Sequence, residues 1–113
     1  MAQWRGQFSG YTHETLVEDY EESLWEMVNA CKALPLEEER AKRLPALRAA
    51  AQRVLHARVK RLSARLAVAR SKVLRAEDRP THGREVTSLE RRLAALQQAN
   101  PETILAEFGM KSH

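Results

Sequence analysis

The stretch RVLHARVKRLSARLAVARSKVLR, Arg53 to Arg75, decides the fold class and raises the functional question. Its apolar residues recur every three or four positions, a spacing typical of a helix packed lengthwise against other helices. No Gly or Pro occurs between Ala46 and Ala76, so the sequence predicts one long helix of about 45 Å. Its predicted core stripe consists of Leu55, Val59, Leu62, Leu66, Ala69, Val73 and Ala76.

A second amphipathic segment precedes this helix. Thr12 is a suitable N-cap and Glu14 suits the first turn, so we expect helix 1 from Thr12 to about Leu34, ended by Pro35. Between Pro35 and Pro45 the sequence predicts one or two helical turns, with a boundary or kink at Pro45. The apolar seam of helix 1 comprises Val17, Tyr20, Leu24, Met27, Cys31 and Leu34.

Two further helices are predicted after the long one. The segment EDRPTHG, 77–83, predicts a break, with Thr81 as a cap for a helix from about Arg84 to Ala99. A sharper signal follows, because Asn100, Pro101 and Gly109 occupy typical N-cap, first-turn and stop positions. The third helix has the apolar stripe Val86, Leu89, Leu93 and Leu96.

Short breaks between long amphipathic helices favour an antiparallel arrangement. The sequence therefore predicts an all-α, coiled-coil-like, antiparallel three-helix bundle with one long basic helix and a short C-terminal fourth helix. A chain of 113 residues is expected to form one bundle domain, 12–113, after an aromatic N-terminal arm, 1–11. The arm either folds over one end of the bundle or binds a partner. Its aromatic residues are Trp4, Phe8 and Tyr11.

Charge is strongly segregated along the chain. Residues 1–39 carry nine acids and two bases, residues 40–79 carry thirteen bases and two acids, and the remainder carries four of each. In heptad terms Arg58 and Arg65 fall at g of the long helix, whereas Glu14 and Glu21 fall at e of helix 1. Antiparallel helices bring e against e and g against g, so we expect these charges not to meet. A basic face should then remain free.

Arginine and lysine on such a face favour phosphate, and the stretch 53–75 contains no aromatic residue on which a base could stack. The sequence thus predicts a non-enzymatic accessory subunit that binds nucleic-acid backbone without sequence specificity. The alternative is a protein-interaction module whose basic helix pairs with an acidic helical partner or with helix 1 of a second copy. The candidate nucleic-acid-binding residues are Arg53, Arg58, Lys60, Arg61, Arg65, Lys72 and Arg75.

Other functions find little support in the sequence. Glycine-rich phosphate loops, nucleophile elbows and Cys/His metal spacing are missing, so we expect no catalysis, metal or cofactor. Apolar runs are too short for a membrane span or a signal peptide, which favours a cytoplasmic protein without membrane contact. Cys31 is expected to be a buried, inert thiol.

In size, helicity and basicity the chain is similar to the all-helical small subunits of RNA-guided effector complexes, which line the path of a displaced strand or heteroduplex. The similarity is one of shape and charge, and no sequence motif carries it.

Overall fold

A computed structural model describes residues 13–74 and 79–110, and four helices account for most of them. The described residues contain no strand, so the predicted all-α class is confirmed. The predicted arm, the predicted cap Thr12 and the candidate Arg75 lie outside the described residues. The helices are α1 (His13–Lys32), α2 (Glu37–Leu74), α3 (Arg79–Gln98) and α4 (Pro101–Glu107).

The long helix α2 continues through Pro45, so the boundary predicted there is wrong. Proline in a helix interior costs about 3 kcal/mol, because it lacks an N–H and crowds the preceding turn. On either side of it, Leu47 is buried in the core and Leu44 packs against the same cluster. Burying a leucine contributes about 1.5–3 kcal/mol, so the two together outweigh the proline.

The third helix begins earlier than predicted, because Pro80 and Gly83 belong to it instead of preceding it. Pro80 is its second residue, where the missing N–H has no partner within the helix in any case. Gly83 lies in the helix interior, and its carbonyl accepts a hydrogen bond of 3.0 Å from the Thr87 hydroxyl. Of the predicted break signals, Pro80 therefore lies in the first turn of α3 and Gly83 follows that turn.

The caps of α4 confirm the sequence prediction in detail. Asn100 accepts a hydrogen bond of 2.9 Å from the backbone N–H of Thr103, whose hydroxyl faces the backbone N–H of Asn100 at 3.5 Å. At the other end, Gly109 has a φ of +93°, which glycine adopts readily. The next N–H, of Met110, donates to the carbonyl of Leu105 at 2.8 Å and closes the helix.

Two apolar clusters form the core, and α2 contributes to both. The first joins α1, the N-terminal half of α2 and α4; the second joins the C-terminal half of α2 to α3. Leu96 of α3 packs against both clusters. The first contains Leu24, Val28, Cys31, Leu47, Ala50, Ala51, Val54, Leu55, Ile104 and Leu105, and the second contains Leu62, Leu66, Ala69 and Leu89.

Helix α2 is the common partner of the other three helices. Within the described residues, no Cα of α1 approaches a Cα of α3 within 8 Å, so these two helices do not complete a three-helix core. They flank α2 and leave a groove between them. The molecule is 59 Å long, about the length of 38 helical residues at ~1.5 Å each, so α2 sets its longest dimension.

We predict that Leu66→Asp destabilises the fold by several kcal/mol, comparable with the whole stability of a small domain, because a carboxylate would replace a buried side chain. Leu62→Asp should behave alike. Ala67→Asp, at the exposed neighbouring position, is the matched control and should leave the urea midpoint nearly unchanged. Equal midpoints for Leu66→Asp and the wild type would contradict this assignment of the core.

Candidate functional site

Helix α2 has two buried faces and one exposed face. One buried face packs on α1, and the other packs on α3 through the predicted stripe that includes Leu62, Leu66 and Ala69. The sequence prediction missed the first face, although its apolar residues also recur every three or four positions. These are Leu47, Ala50, Ala51, Val54 and Ala57.

The seven candidate cations do not share a surface. Arg53 and Lys60 lie beside Leu16 and Tyr20 of α1, in a shallow depression on the outer side of α2. The side chains of Arg58, Arg61 and Arg65 instead line the groove between α1 and α3. Lys72 is exposed two turns beyond Arg65. The basic stretch therefore divides between two surfaces.

Arg58 joins three helices through one guanidinium group. Its Nε and Nη2 donate to Oε2 of Glu21 at 2.7 and 2.5 Å, and its Nη1 donates to Oε2 of Glu107 at 2.7 Å. The side chain is only 15% exposed. Burial alone lowers the pKa of Arg58, but hydrogen bonds and charges from Glu107 and Glu21 outweigh it and raise the pKa. Arg58 therefore stays positively charged, and two carboxylates of the same chain neutralise this charge.

Arg65 pairs with Glu14 in the same way, with Nε at 3.0 Å and Nη2 at 2.5 Å from Oε1. The expectation that the g stripe of the long helix would not meet the e acids of helix 1 is therefore wrong. Two more ion pairs tie α2 to its neighbours. Arg70 lies 3.1 Å from Glu90 of α3, and Arg48 lies 2.7 Å from Glu102 of α4.

Glu14 and Glu21 reach α2 because α1 is rotated about its own axis relative to the heptad positions that the sequence predicted. Val28 at position e is fully buried, whereas Tyr20 and Met27 at position d are only partly buried. The packed face of α1 is thus centred on a and e, which carries Glu14 and Glu21 to the edge of α2. On α2, Ala51 is fully buried against this face, and Arg58 and Arg65 follow it at successive heptads.

The groove between α1 and α3 contains two adjoining cavities of about 620 and 650 Å³. Arg61 and Arg92 line both. The Nε of Arg61 is buried without a hydrogen-bond partner. Among the described residues, neither arginine has a carboxylate within ion-pair distance. The groove therefore holds two unmatched positive charges.

The exposed face of α2 carries a second set of unmatched cations, Lys42, Arg53 and Lys60, which we name the outer stripe. They are separated by eleven and seven residues, close to whole numbers of helical turns, so they align along the helix. In the described part of the chain, no carboxylate lies within ion-pair distance of any of them. Sequence reasoning identified Arg53 and Lys60 but not Lys42.

Metal binding, thiol chemistry and membrane insertion find little support in the described residues. Over residues 13–74 and 79–110, no three His, Cys, Asp or Glu side chains cluster as metal ligands would. Cys31 is buried as expected, and its thiol lies 3.7 Å from the carbonyl of Arg40. Within the same ranges, no helix has the length and apolar character needed to cross a bilayer. No family model, curated protein or solved structure matches this chain.

We predict that Arg58→Met costs about 1–3 kcal/mol of unfolding free energy, because it leaves two carboxylates without their shared, half-buried donor. The same substitution at Arg65, whose side chain is 42% exposed, is the control and should cost less than about 1 kcal/mol. Urea denaturation of both variants measures the difference. Equal losses at the two positions would show that Arg58 does not hold the three helices together.

Proposed function

We propose that this chain is a non-enzymatic, cytoplasmic helical accessory subunit that binds the phosphate backbone of nucleic acid through the outer stripe. The observation that supports this proposal is that Lys42, Arg53 and Lys60 align on the exposed face of α2, which none of the described helices covers, and have no acidic partners in the described part of the chain. Each cation that neutralises a phosphate also releases a counterion, which favours binding at low salt.

The surroundings of the outer stripe favour backbone contact over base reading. Exposed Gln52, His56 and Ser63 can donate further hydrogen bonds to phosphate oxygens. No acid occurs between Arg40 and Arg75 to repel a phosphate, and no aromatic residue occurs there to stack on a base. A duplex or heteroduplex, whose phosphates follow a regular path, therefore suits this surface better than a sequence-specific single strand.

The internal ion pairs reassign some of the candidate residues. In this proposal Arg58 and Arg65 hold α1 against α2 in an antiparallel, coiled-coil-like pair and are not phosphate ligands. The order of the contacts supports the antiparallel direction, because Glu14 meets Arg65 whereas Glu21 meets Arg58. The acids of α1 thus neutralise one side of α2 and leave the outer stripe for an external anion.

The test is fluorescence anisotropy of a labelled duplex and a labelled single strand, titrated with the protein over a salt series. We expect duplex binding that weakens steeply as salt rises. Arg53→Glu/Lys60→Glu should abolish binding or reduce the slope of log K against log salt by about two, because each of the two cations neutralises roughly one phosphate.

The matched control is Arg84→Glu/Arg91→Glu, which makes the same change in net charge at exposed positions of α3. This control variant should retain most of the binding, because we expect binding to depend on the outer stripe and not on the total positive charge of the protein. The proposal is wrong if the wild type does not bind at low salt, or if the two double variants lose affinity equally.

A further inference from the structure

Three arginines follow one another along the groove side of α2. Arg58 and Arg65 each pair with a carboxylate of α1, whereas Arg61 between them has no ion-pair partner among the described residues. Arg58 meets Glu21 and Arg65 meets Glu14, so the same pairing places Arg61 level with Glu18, whose exposed carboxylate is not within ion-pair distance of Arg61. A buried Nε–H without an acceptor is costly, and native structures seldom leave one. Within the described residues, the guanidinium group of Arg61 therefore has no carboxylate within ion-pair distance, although Glu18 of the same chain lies level with it.

The rest of the groove is suited to a helix. Its lining includes Leu62, Leu89 and Leu96, together with small alanines that allow a helix to approach closely. At one end Val68 of α2 is 56% exposed and adds to the apolar part of the lining. An apolar floor with two unmatched arginines fits an acidic amphipathic helix.

The exposed side of α1 has the complementary chemistry. Glu18 and Glu22 lie one turn apart and, among the described residues, have no ion-pair partner. Trp25 follows and is 49% exposed. Its ring meets that of Phe108 edge to face, with centroids 5.6 Å apart, next to Glu107 at the end of the groove. The exposed side of α1 therefore offers carboxylates and an aromatic ring that could meet Arg61, Arg92 and the apolar residues of the groove of a second copy.

We propose that the chain forms a twofold-symmetric dimer in which α1 of each copy lies over the groove of the other. Glu18 and Glu22 of one copy pair with Arg61 and Arg92 of the second, and Trp25 covers part of the apolar floor. The arrangement is self-complementary, because groove and acidic helix are adjacent on the same face of each copy. A half-exposed tryptophan is also the kind of residue that anchors an interface.

This dimer is independent of the proposed nucleic-acid binding. Arg61 lies on the side of α2 between α1 and α3, whereas Arg53 and Lys60 lie on its outer side. A dimer formed through the groove thus leaves both outer stripes exposed, one on each copy. Either proposal can fail without the other.

Sedimentation equilibrium over about a hundredfold range of concentration tests the dimer, because association depends on concentration. We expect the wild type to dimerise, and Glu18→Arg/Glu22→Arg and Arg61→Glu/Arg92→Glu each to raise the dissociation constant at least about tenfold. An equimolar mixture of the two variants should restore a heterodimer, because both contacts become attractive again. This restoration is specific to the proposed pairing.

Two further variants keep the test decisive. Arg92→Glu alone changes only an exposed side chain, so it weakens the dimer even if replacing the half-buried Arg61 impairs folding. Arg91→Glu, exposed on the same helix but absent from the groove lining, should dimerise like the wild type. A wild type that stays monomeric, variants that dimerise unchanged, or a mixture that does not associate would each overturn the proposal.

Discussion

The rest of the structure depends on the burial of apolar side chains on two faces of one helix. Leu47 and Val54 of α2 pack towards α1, whereas Leu66 and Ala69 pack towards α3, and no single neighbour covers both faces. This burial holds α2 helical through Pro45 despite the cost of that residue. It also separates α1 from α3, since each occupies its own side of α2.

The placement of α1 determines which charges remain available. Its a/e face brings Glu14 and Glu21 to Arg65 and Arg58, so two of the candidate phosphate-binding arginines form ion pairs within the chain. Among the described residues, the outer stripe and the groove pair Arg61 and Arg92 are two sets of cations without a carboxylate within ion-pair distance. The outer stripe is on the exposed face of α2, whereas the groove lies between α1 and α3 and is lined by both charged and apolar residues. In the two proposals, the first surface binds nucleic acid and the second binds another copy of the chain.

Local sequence signals predicted the helices well where local chemistry decides the structure. Asn100 caps the start of α4 and Gly109 follows its end, as the sequence predicted, because the local chemistry of these two residues is sufficient there. At Pro45 and Pro80 the same reasoning failed, for different reasons. Tertiary burial overrides the break at Pro45, and the first turn of a helix tolerates Pro80.

The candidate site was predicted only in part, because charge pairing depends on helix rotation. Val28 at position e is fully buried, and this rotation of about one position decides whether Glu21 meets Arg58. Heptad spacing alone does not determine such a rotation when a helix has apolar residues at a, d and e. Arg53 and Lys60 could be identified from the sequence, because their exposure does not depend on which residue of another helix lies beside them. Lys42 was missed because it lies before the predicted boundary at Pro45.

The most direct test of the account is to map where a duplex contacts the protein, by following backbone amide chemical shifts in NMR spectra during a titration. The account predicts that shifts change along the outer face of α2, around Lys42, Arg53 and Lys60, and that the amides of Arg65 and Arg92 in the groove change little. Changes centred on the groove, or no changes at low salt, would contradict the central claim that the outer stripe is the phosphate-binding surface.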